Sequence, residues 1–359
     1  MHSKKLRVGI IFGGRSAEHE VSLQSASNVY EALDKTKYEP VLIGISKKGV
    51  WQFENTTKLF PEQNNSYLVT SLSKDAPGKS KLMLVPQPKD MNQLDVIFPV
   101  LHGPYGEDGT MQGLLKLAGI PFVGSDVLGS AVCMDKEVMK RLLKEASIPI
   151  AKYIVIKRKD EKTIRYAKVV RKLGPQMFVK PANLGSSVGV HKVTSNKEFI
   201  SAITDAFQYD NKILIEQALQ AREIECSVLG NDNPIASIPG EVITHHEFYS
   251  YEAKYLDSNG ADLVIPAPLP DTVIADIKKL AVKTFQTLCC NGMARVDFFL
   301  TETNKIFVNE ANTIPGFTNV SMYPKLWEAS GISYTSLITR LIELALERHS
   351  MDMQLKTSK

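Results

Sequence analysis

No run of 18 apolar residues occurs in the 359-residue chain, so no transmembrane helix is expected. Cysteine is scarce as well: Cys133, Cys226, Cys289 and Cys290 are the four present. Their spacing fits neither a disulfide framework nor a zinc site. All four read as reduced, small packing residues in a cytoplasmic protein. A large excess of one charge is missing too. The 43 Lys and Arg against 39 Asp and Glu leave +4, with no basic stripe to suggest a nucleic-acid partner. Internal repeats and low-complexity tracts are absent, which excludes solenoid and disordered classes. The basic start, Met1 to Arg7, leads into apolar Val8 to Phe12. Gly13, Gly14 and Arg15 interrupt that run too early for a secretory signal, so it reads as a first buried strand.

What is present is ordinary globular composition, 43% hydrophobic and 23% charged. The length allows a large core and suggests more than one domain. In the first third, Leu6 to Phe12, Val41 to Ile45 and Val96 to Val100 read as buried strands. A helix is expected from about Ser16, with Glu18 and Glu20 in its first turn, where acids suit the helix dipole. Gly109 to Leu117 and Asp135 to Ala146 read as further helices. In the second of these, Met139, Leu142, Leu143 and Ala146 hold core-facing spacing. The alternation predicts an open, mostly parallel sheet covered by helices on both faces. Asn64 to Lys81 is the best loop candidate.

Farther on, Tyr153 to Ile156, Met177 to Lys180, Val188 to Val193 and Ile213 to Gln217 read as strands, with helices near Glu161 to Lys172 and Lys197 to Phe207. That is a small α+β unit with a glycine- and serine-rich hairpin loop. The last third predicts strands at Ile224 to Leu229, Pro234 to Ile238, Met293 to Leu300 and Lys305 to Glu310. Helices are expected at Thr272 to Leu288 and Tyr334 to Glu347.

Five segments carry chemistry. In Lys180-Pro-Ala-Asn-Leu-Gly-Ser-Ser-Val-Gly-Val190, a lysine ends a strand and small residues follow. Their N–H groups can approach phosphate oxygens, although a solvated surface hairpin would use the same residues. Arg295-Val-Asp297 and Glu310-Ala-Asn312 put each pair on one face of its strand. If the strands pair, two carboxylates and an amide oxygen form a hard-ligand patch suited to Mg²⁺. A cross-strand salt bridge is the plainer alternative, and Phe298, Phe299 and Val308 suggest that the opposite face is buried. His102-Gly-Pro-Tyr-Gly-Glu-Asp-Gly109 and Gly13-Gly14 to Glu18 follow strands, where open α/β sheets bind ligands. His102 could equally be a turn residue and Glu18 a helix-terminal charge. Phe248 to Tyr255 fits a lid loop or an aromatic cluster. Glu216 to Glu223 fits a linker that could meet an adenine, or a plain linker.

Taken together, GGRSAEHEVS, HGPYGEDGTMQG, MDK, KPANLGSSVGV, YEAKY, ARVDF and NEANTIPGFT resemble the D-alanine–D-alanine ligase family of the ATP-grasp superfamily, in that family's order. The resemblance runs from Val8 to about Gly331. It implies an N-terminal α/β domain over residues 1–130, a central ATP-grasp unit over 131–220 and a C-terminal unit over 221–359. It also implies ATP and two Mg²⁺ or Mn²⁺ ions, D-alanine as substrate and a homodimer. By position, Lys136, Lys180 and Ser187 resemble phosphate contacts, and Lys254 the lid lysine. Phe178 and Phe299 would sandwich the purine, with Glu216, Leu219 and Glu223 around adenine and ribose. Asp297, Glu310 and Asn312 match the metal ligands, Glu310 bridging. Glu18 would meet the first D-alanine's ammonium in a triad with Ser186 and Tyr255, and His102 would lie nearby. Arg295 and the Gly316 N–H would form the oxyanion site, while Ser321 and the Met322 N–H would take the second carboxylate. Sister ligases making D-alanyl-D-lactate or D-alanyl-D-serine resemble the chain as well, but the lactate enzymes lack the tyrosine at 255. A non-catalytic ATP-binding regulator should have lost part of this set, and none is lost.

Overall fold

The computed structural model describes residues 4–54, 94–244 and 261–356. Three sheets organise them. The first holds β1 (Leu6–Gly13), β2 (Tyr38–Ile45), β3 (Trp51–Glu54) and β4 (Val96–Val100) in the order β3-β2-β1-β4. β1 runs parallel to both β2 and β4, and β3 closes the edge antiparallel. Because side chains alternate along a strand, β1 feeds two cores. Val8, Ile10 and Phe12 pack with Leu23, Ala26 and Val29 of α1 (His19–Ala32), and with Leu337, Ile338 and Leu341 of α9 (Tyr334–Asp352). Ile11 points the other way, towards Met111 and Leu115 of α2 (Thr110–Leu117). The last helix of the chain thus completes the core of the first sheet.

The second sheet, order β5-β8-β6-β7, is wholly antiparallel. It contains β5 (Tyr153–Lys157), β6 (Met177–Pro181), β7 (His191–Val193) and β8 (Lys212–Gln217), backed by α5 (Tyr166–Leu173) and α6 (Asn196–Tyr209). A capping box of Ser195 and Glu198 starts α6, satisfying N–H groups that the first turn leaves open. The third sheet runs β12-β11-β9-β13-β14, with β10 (Ile235–Ala236) paired to β9 (Ala221–Gly230). β11 is Gly240–Thr244, β12 Ala261–Val264, β13 Gly292–Thr301 and β14 Ile306–Asn312. Its buried face, including Ile224, Val228, Val296 and Phe298, packs on Ile277, Ala281 and Phe285 of α7 (Asp271–Thr287). Met139 and Leu143 of α4 (Lys136–Glu145) join the same core. Among the described residues, no helix is long and apolar enough to cross a membrane.

Several sequence expectations shift. The first helix begins at His19, not near Ser16, because the Ser16 hydroxyl accepts the Glu18 N–H at 3.0 Å and holds a turn there. Glu18 is therefore the residue before the helix, and Glu20 alone is the acid of its first turn. The β7 strand is only His191–Val193, since residues 188–190 belong to the preceding loop. Pro234 to Ile238 shrinks to Ile235–Ala236. Leu142 is exposed, because the buried stripe of α4 is Lys136, Met139, Lys140 and Leu143. Phe299 lies half-buried, on the same side of its strand as Arg295 and Asp297, whereas Phe298 and Val308 face the core. Cys133, Cys226 and Cys290 are buried packing thiols, but Cys289 is exposed in a turn with left-handed backbone, φ 56°. β3, β11, β12, α3 (Val127–Met134) and α8 (Met322–Ala329) carry no strong sequence signal. The loop candidate Asn64 to Lys81 and the segment Tyr251 to Tyr255, with Lys254, lie outside the described residues.

Candidate active site

The register of β13 and β14 places Arg295 opposite Asn312 and Asp297 opposite Glu310. The four-residue patch is thus assembled by strand pairing alone. Arg295 donates to both Asp297 oxygens at 2.7 Å and reaches Glu225 at 2.8 Å. The Asn312 amide donates to Asp297 at 3.0 Å. Burial would lower the Arg295 pKa, but the facing carboxylates Asp297 and Glu225 outweigh it and raise that pKa. The guanidinium is a fixed cation in a fixed orientation, as electrostatic stabilisation of a developing oxyanion requires. The oxygens of Asp297 and Glu310, with an amide nearby, are hard donors whose chemistry suits Mg²⁺.

Lys136 reaches this patch from α4. Asp135 caps that helix, accepting the Glu137 and Val138 N–H groups at 3.1 Å each. The Lys136 Nζ lies 3.7 Å from Glu310 and donates to the Leu184 carbonyl at 2.5 Å. Lys136, Glu310, Asn312, Leu184 and Gly185 line one cleft, together with Glu107, Cys133 and Thr313. Burial lowers the Lys136 pKa, and Glu310 opposes that shift.

Leu184 and Gly185 belong to the loop between β6 and β7. Asp210 ties its base by accepting the Asn183 backbone and amide N–H at 2.9 Å each. Ser186 and Ser187 adopt left-handed backbone, φ 49° and 59°, which costs a non-glycine residue roughly 1–2 kcal/mol. Such strain persists where the surroundings enforce it and gathers at functional sites. Here the Ser186 hydroxyl donates to a Glu18 carboxylate oxygen. The loop therefore bridges to the first sheet.

That first-sheet side is built by glycine. Gly13, at φ 90°, sits so close to the Ile45 carbonyl that a Cβ would meet it at 2.2 Å. The turn carries the chain straight to Glu18. The loop after β4 meets it: Arg15 stacks over Tyr105, 5.7 Å from the ring centre, and a Cβ on Gly103 would fall 3.2 Å from Glu18. His102 is buried and its Nδ1 pairs with the Ile314 carbonyl at 3.0 Å, while its Nε2 has no hydrogen-bond partner among the described residues. Burial lowers the His102 pKa.

Segment 313–321 forms the remaining wall. Asn28 of α1 donates to the Phe317 carbonyl at 2.9 Å, and the Phe317 N–H donates to Ser25 at 3.1 Å. Gly316 packs against Ser321, whose hydroxyl would lie 2.6 Å from a Cβ there. Ser321 precedes α8, and Met322 supplies the first N–H of that helix. A helix N-terminus favours anions. The Met322 side chain is buried against Val242 and Leu326.

The other expected nucleotide residues group at the second and third sheets. Phe178 is opposite Glu216 in one register and Phe299 opposite Glu223 in another. Leu219 lies in the short connection between β8 and β9. Glu216 is 3% exposed and its carboxylate is ion-paired to both Lys140 and Lys180.

Two groups in the site escape sequence reasoning. Glu107 lies inside a quoted motif, but its neighbour Asp108 has the same chemistry, so nothing in the pattern singles it out. Burial, reinforced by the Glu18 charge, pushes the Glu107 carboxyl up to about 8. Lys140 reads as a surface helix residue, yet its side chain is fully buried. Its i, i+4 relation to Lys136 is the available signal.

Comparison with known proteins agrees over the whole chain. Residues 7–125 match the family model for the D-ala D-ala ligase N-terminus, and 142–343 that for the D-ala D-ala ligase C-terminus. The chain is 52% identical to a D-alanine–D-alanine ligase of Oceanobacillus iheyensis, over 99% of each chain. It is also 52% identical to D-alanine–D-alanine ligase A of Escherichia coli K12, over 99% of this chain and 100% of that one. Among solved structures, the D-alanine-D-alanine ligase from Coxiella burnetii superposes with a TM-score of 0.84 at 38% identity, covering 98% of both chains. The VanG D-Ala:D-Ser ligase from Enterococcus faecalis gives 0.82 at 34%, covering 95% of this chain and 100% of that one.

Proposed function

This chain belongs to the D-alanine–D-alanine ligase family, and we infer that it joins two D-alanines with ATP, giving D-alanyl-D-alanine, ADP and phosphate for peptidoglycan precursors. The observation that carries the site reading is the cleft itself. It gathers Lys136, Glu310, Asn312 and the Leu184–Gly185 backbone in one place, with the Ser186–Glu18 hydrogen bond beside it. In this reading a lysine, a carboxylate, an amide and the glycine-serine loop border the phosphoryl group that transfers.

In this reading Glu18 takes the ammonium of the first D-alanine, oriented by Ser186 and by Tyr255 of the lid, with His102 alongside. The substrate carboxylate attacks the γ-phosphorus of ATP, the bond to ADP breaks, and a D-alanyl phosphate results. Lys136, Lys180, Lys254 and Ser187 hold the phosphates. Phe178 and Phe299 hold the purine, and Glu216, Leu219 and Glu223 lie around adenine and ribose. Asp297, Glu310 and Asn312 would hold two Mg²⁺ or Mn²⁺ ions, which neutralise phosphate charge when bound. The second D-alanine docks its carboxylate on Ser321 and the Met322 N–H. Its amine, after losing a proton, attacks the acyl carbon. Arg295 and the Gly316 N–H hold the oxyanion until phosphate leaves. The lid at Tyr251 to Tyr255 keeps water from the acyl phosphate.

The three sheets support units over 1–130, 131–220 and 221–359, with α4 lying between the second and third. Homodimerisation and a cytoplasmic location complete the proposal. The deciding experiment is phosphate release from ATP with D-alanine, L-alanine, D-lactate or D-serine as acceptor, with products identified by mass. Release that needs D-alanine and yields the dipeptide supports the reading. A depsipeptide or D-alanyl-D-serine as the main product from equal mixtures at pH 8 overturns it.

A further inference from the structure

On one face of α4, Lys136, Met139, Lys140 and Leu143 are all buried. The two apolar members fill the core beneath the third sheet. The two lysines do something else. Lys136 reaches the cleft. Lys140, one turn farther from it, is completely enclosed and pairs with one oxygen of Glu216, while Lys180 pairs with the other. Lys140 comes from a helix and Lys180 from the end of β6.

A buried ion pair is a poor way to gain stability. Desolvation of both charges offsets most of their attraction, and apolar residues of similar volume in place of a whole buried pair are often at least as stable. Methionine would fill the space of Lys140 beside Met139 without desolvating a charge. The reason for a lysine must therefore be looked for in what its charge does to its neighbours.

The charge count gives that reason. With Lys180 alone, Glu216 would form a closed, neutral pair, and the Lys180 ammonium would be directed at the carboxylate. With Lys140 present, one carboxylate serves two ammonium groups, so the triad keeps one net positive charge. Burial alone would raise the Glu216 carboxyl, but Lys140 and then Lys180 hold it below its ordinary value, so it stays ionised between them.

We propose that Lys140 is a positioning residue for nucleotide binding: it shares the Glu216 carboxylate so that Lys180 keeps positive charge available for a phosphate of ATP. This rests on the ATP-site reading above, and Lys140 itself does not line the cleft.

The test compares full-length unmodified enzyme with Lys140→Met, Lys140→Gln and Lys140→Arg. Readouts are KM for ATP and for D-alanine, and ADP binding by calorimetry, with melting temperature to show that each variant is folded. Lys140→Met should raise the ATP KM and the ADP dissociation constant about tenfold or more, the scale of a charged hydrogen bond. Its D-alanine KM should stay within roughly twofold. Lys140→Gln, polar but uncharged, should show the same loss of nucleotide affinity, and Lys140→Arg should retain most of the affinity. An unchanged ATP KM in Lys140→Met overturns the proposal. So does a normal ATP KM in Lys140→Gln, which would show that the charge at this position is not needed. Should Lys140→Met fail to fold, Lys140→Gln decides: a raised ATP KM with the D-alanine KM unchanged supports the idea, and a near-normal ATP KM refutes it. Failure of the underlying reading looks different, because the unmodified enzyme would then release no phosphate in response to D-alanine.

Discussion

Asp297 and Glu310 face each other across a strand ladder that pairs Arg295 to Leu300 of β13 with β14 and shifts register just after Asp297, whereas Ser186 and Ser187 sit in left-handed backbone between two short strands. The first pair owes its geometry to main-chain pairing, with Arg295 and Asn312 locking the carboxylate in place. The serines owe theirs to a few contacts at the loop's base and to one bond with Glu18. Charge that must not move is carried by a sheet. The groups that, in our reading, meet the substrate are carried by a segment with little area to bury, the kind that opens at low free-energy cost.

The largest effect should come from disturbing the sheet side. Glu310→Gln keeps size and strand propensity but removes the charge that faces Lys136 and, in our reading, a metal. Metal contributions of this kind are worth several kcal/mol, so turnover should fall about a thousandfold. Circular dichroism and melting temperature should stay near those of the unmodified protein, because the ladder does not depend on that carboxylate. Asp297→Asn should lose similar activity, with Glu225 still holding Arg295. Activity within tenfold of normal at saturating Mg²⁺ would remove the metal assignment.

The two regions also differ in how legible they are in the sequence. Arg295, Asp297, Glu310 and Asn312 can be read as one patch because strand alternation is a strict rule, and the register puts them face to face. The parallel first sheet is legible for a similar reason, since short apolar runs alternate with helical patterns. Helix α4 misleads. The apolar spacing of Met139, Leu142, Leu143 and Ala146 turns the predicted face towards Leu142, while the real face includes two buried lysines. A periodicity rule that assigns lysine to solvent cannot find Lys140 in a buried ion pair whose other members, Lys180 and Glu216, lie in distant parts of the chain. The exposure of Cys289 is hidden because a turn with positive φ leaves no mark in composition. The resemblance to known ligases supplies the role of each loop residue, which spacing alone leaves open.

A smaller effect is expected on the loop side. Ser186→Ala deletes the hydroxyl that reaches Glu18 but leaves the loop's anchors at Asp210 and Leu184 untouched. One hydrogen bond to a charged group is worth roughly 1.5–3 kcal/mol, so the KM of the first D-alanine should rise about tenfold or more. The ATP KM should change little. Equal changes in both constants would mean that the serine shapes the whole loop, and the contrast between fixed sheet and closing loop would lose one of its supports.

The smallest effect concerns Glu107, which lies where the two regions meet. It lines the cleft with Lys136 and Glu310 and accepts the Gly103 N–H at 2.6 Å. Burial, then the charge of Glu18, lifts its carboxyl from an ordinary 4.5 to about 8. A folded-state value above the unfolded one means that the native protein binds the extra proton. That contribution is complete below about pH 4.5, where both states are protonated, and is lost as pH climbs to about 8. Glu107→Gln keeps an oxygen for the Gly103 N–H and carries no charge at any pH. In ligand-free protein the two melting temperatures should therefore lie close together at pH 5. By pH 8 to 9 the glutamine variant should melt higher, the difference opening as pH climbs from about 4.5 to about 8. A scan of melting temperature across this range measures the difference. A gap that does not change with pH would show that Glu107 has the same protonation state in the folded and the unfolded chain across this range, and would remove the buried acid from the account of the cleft.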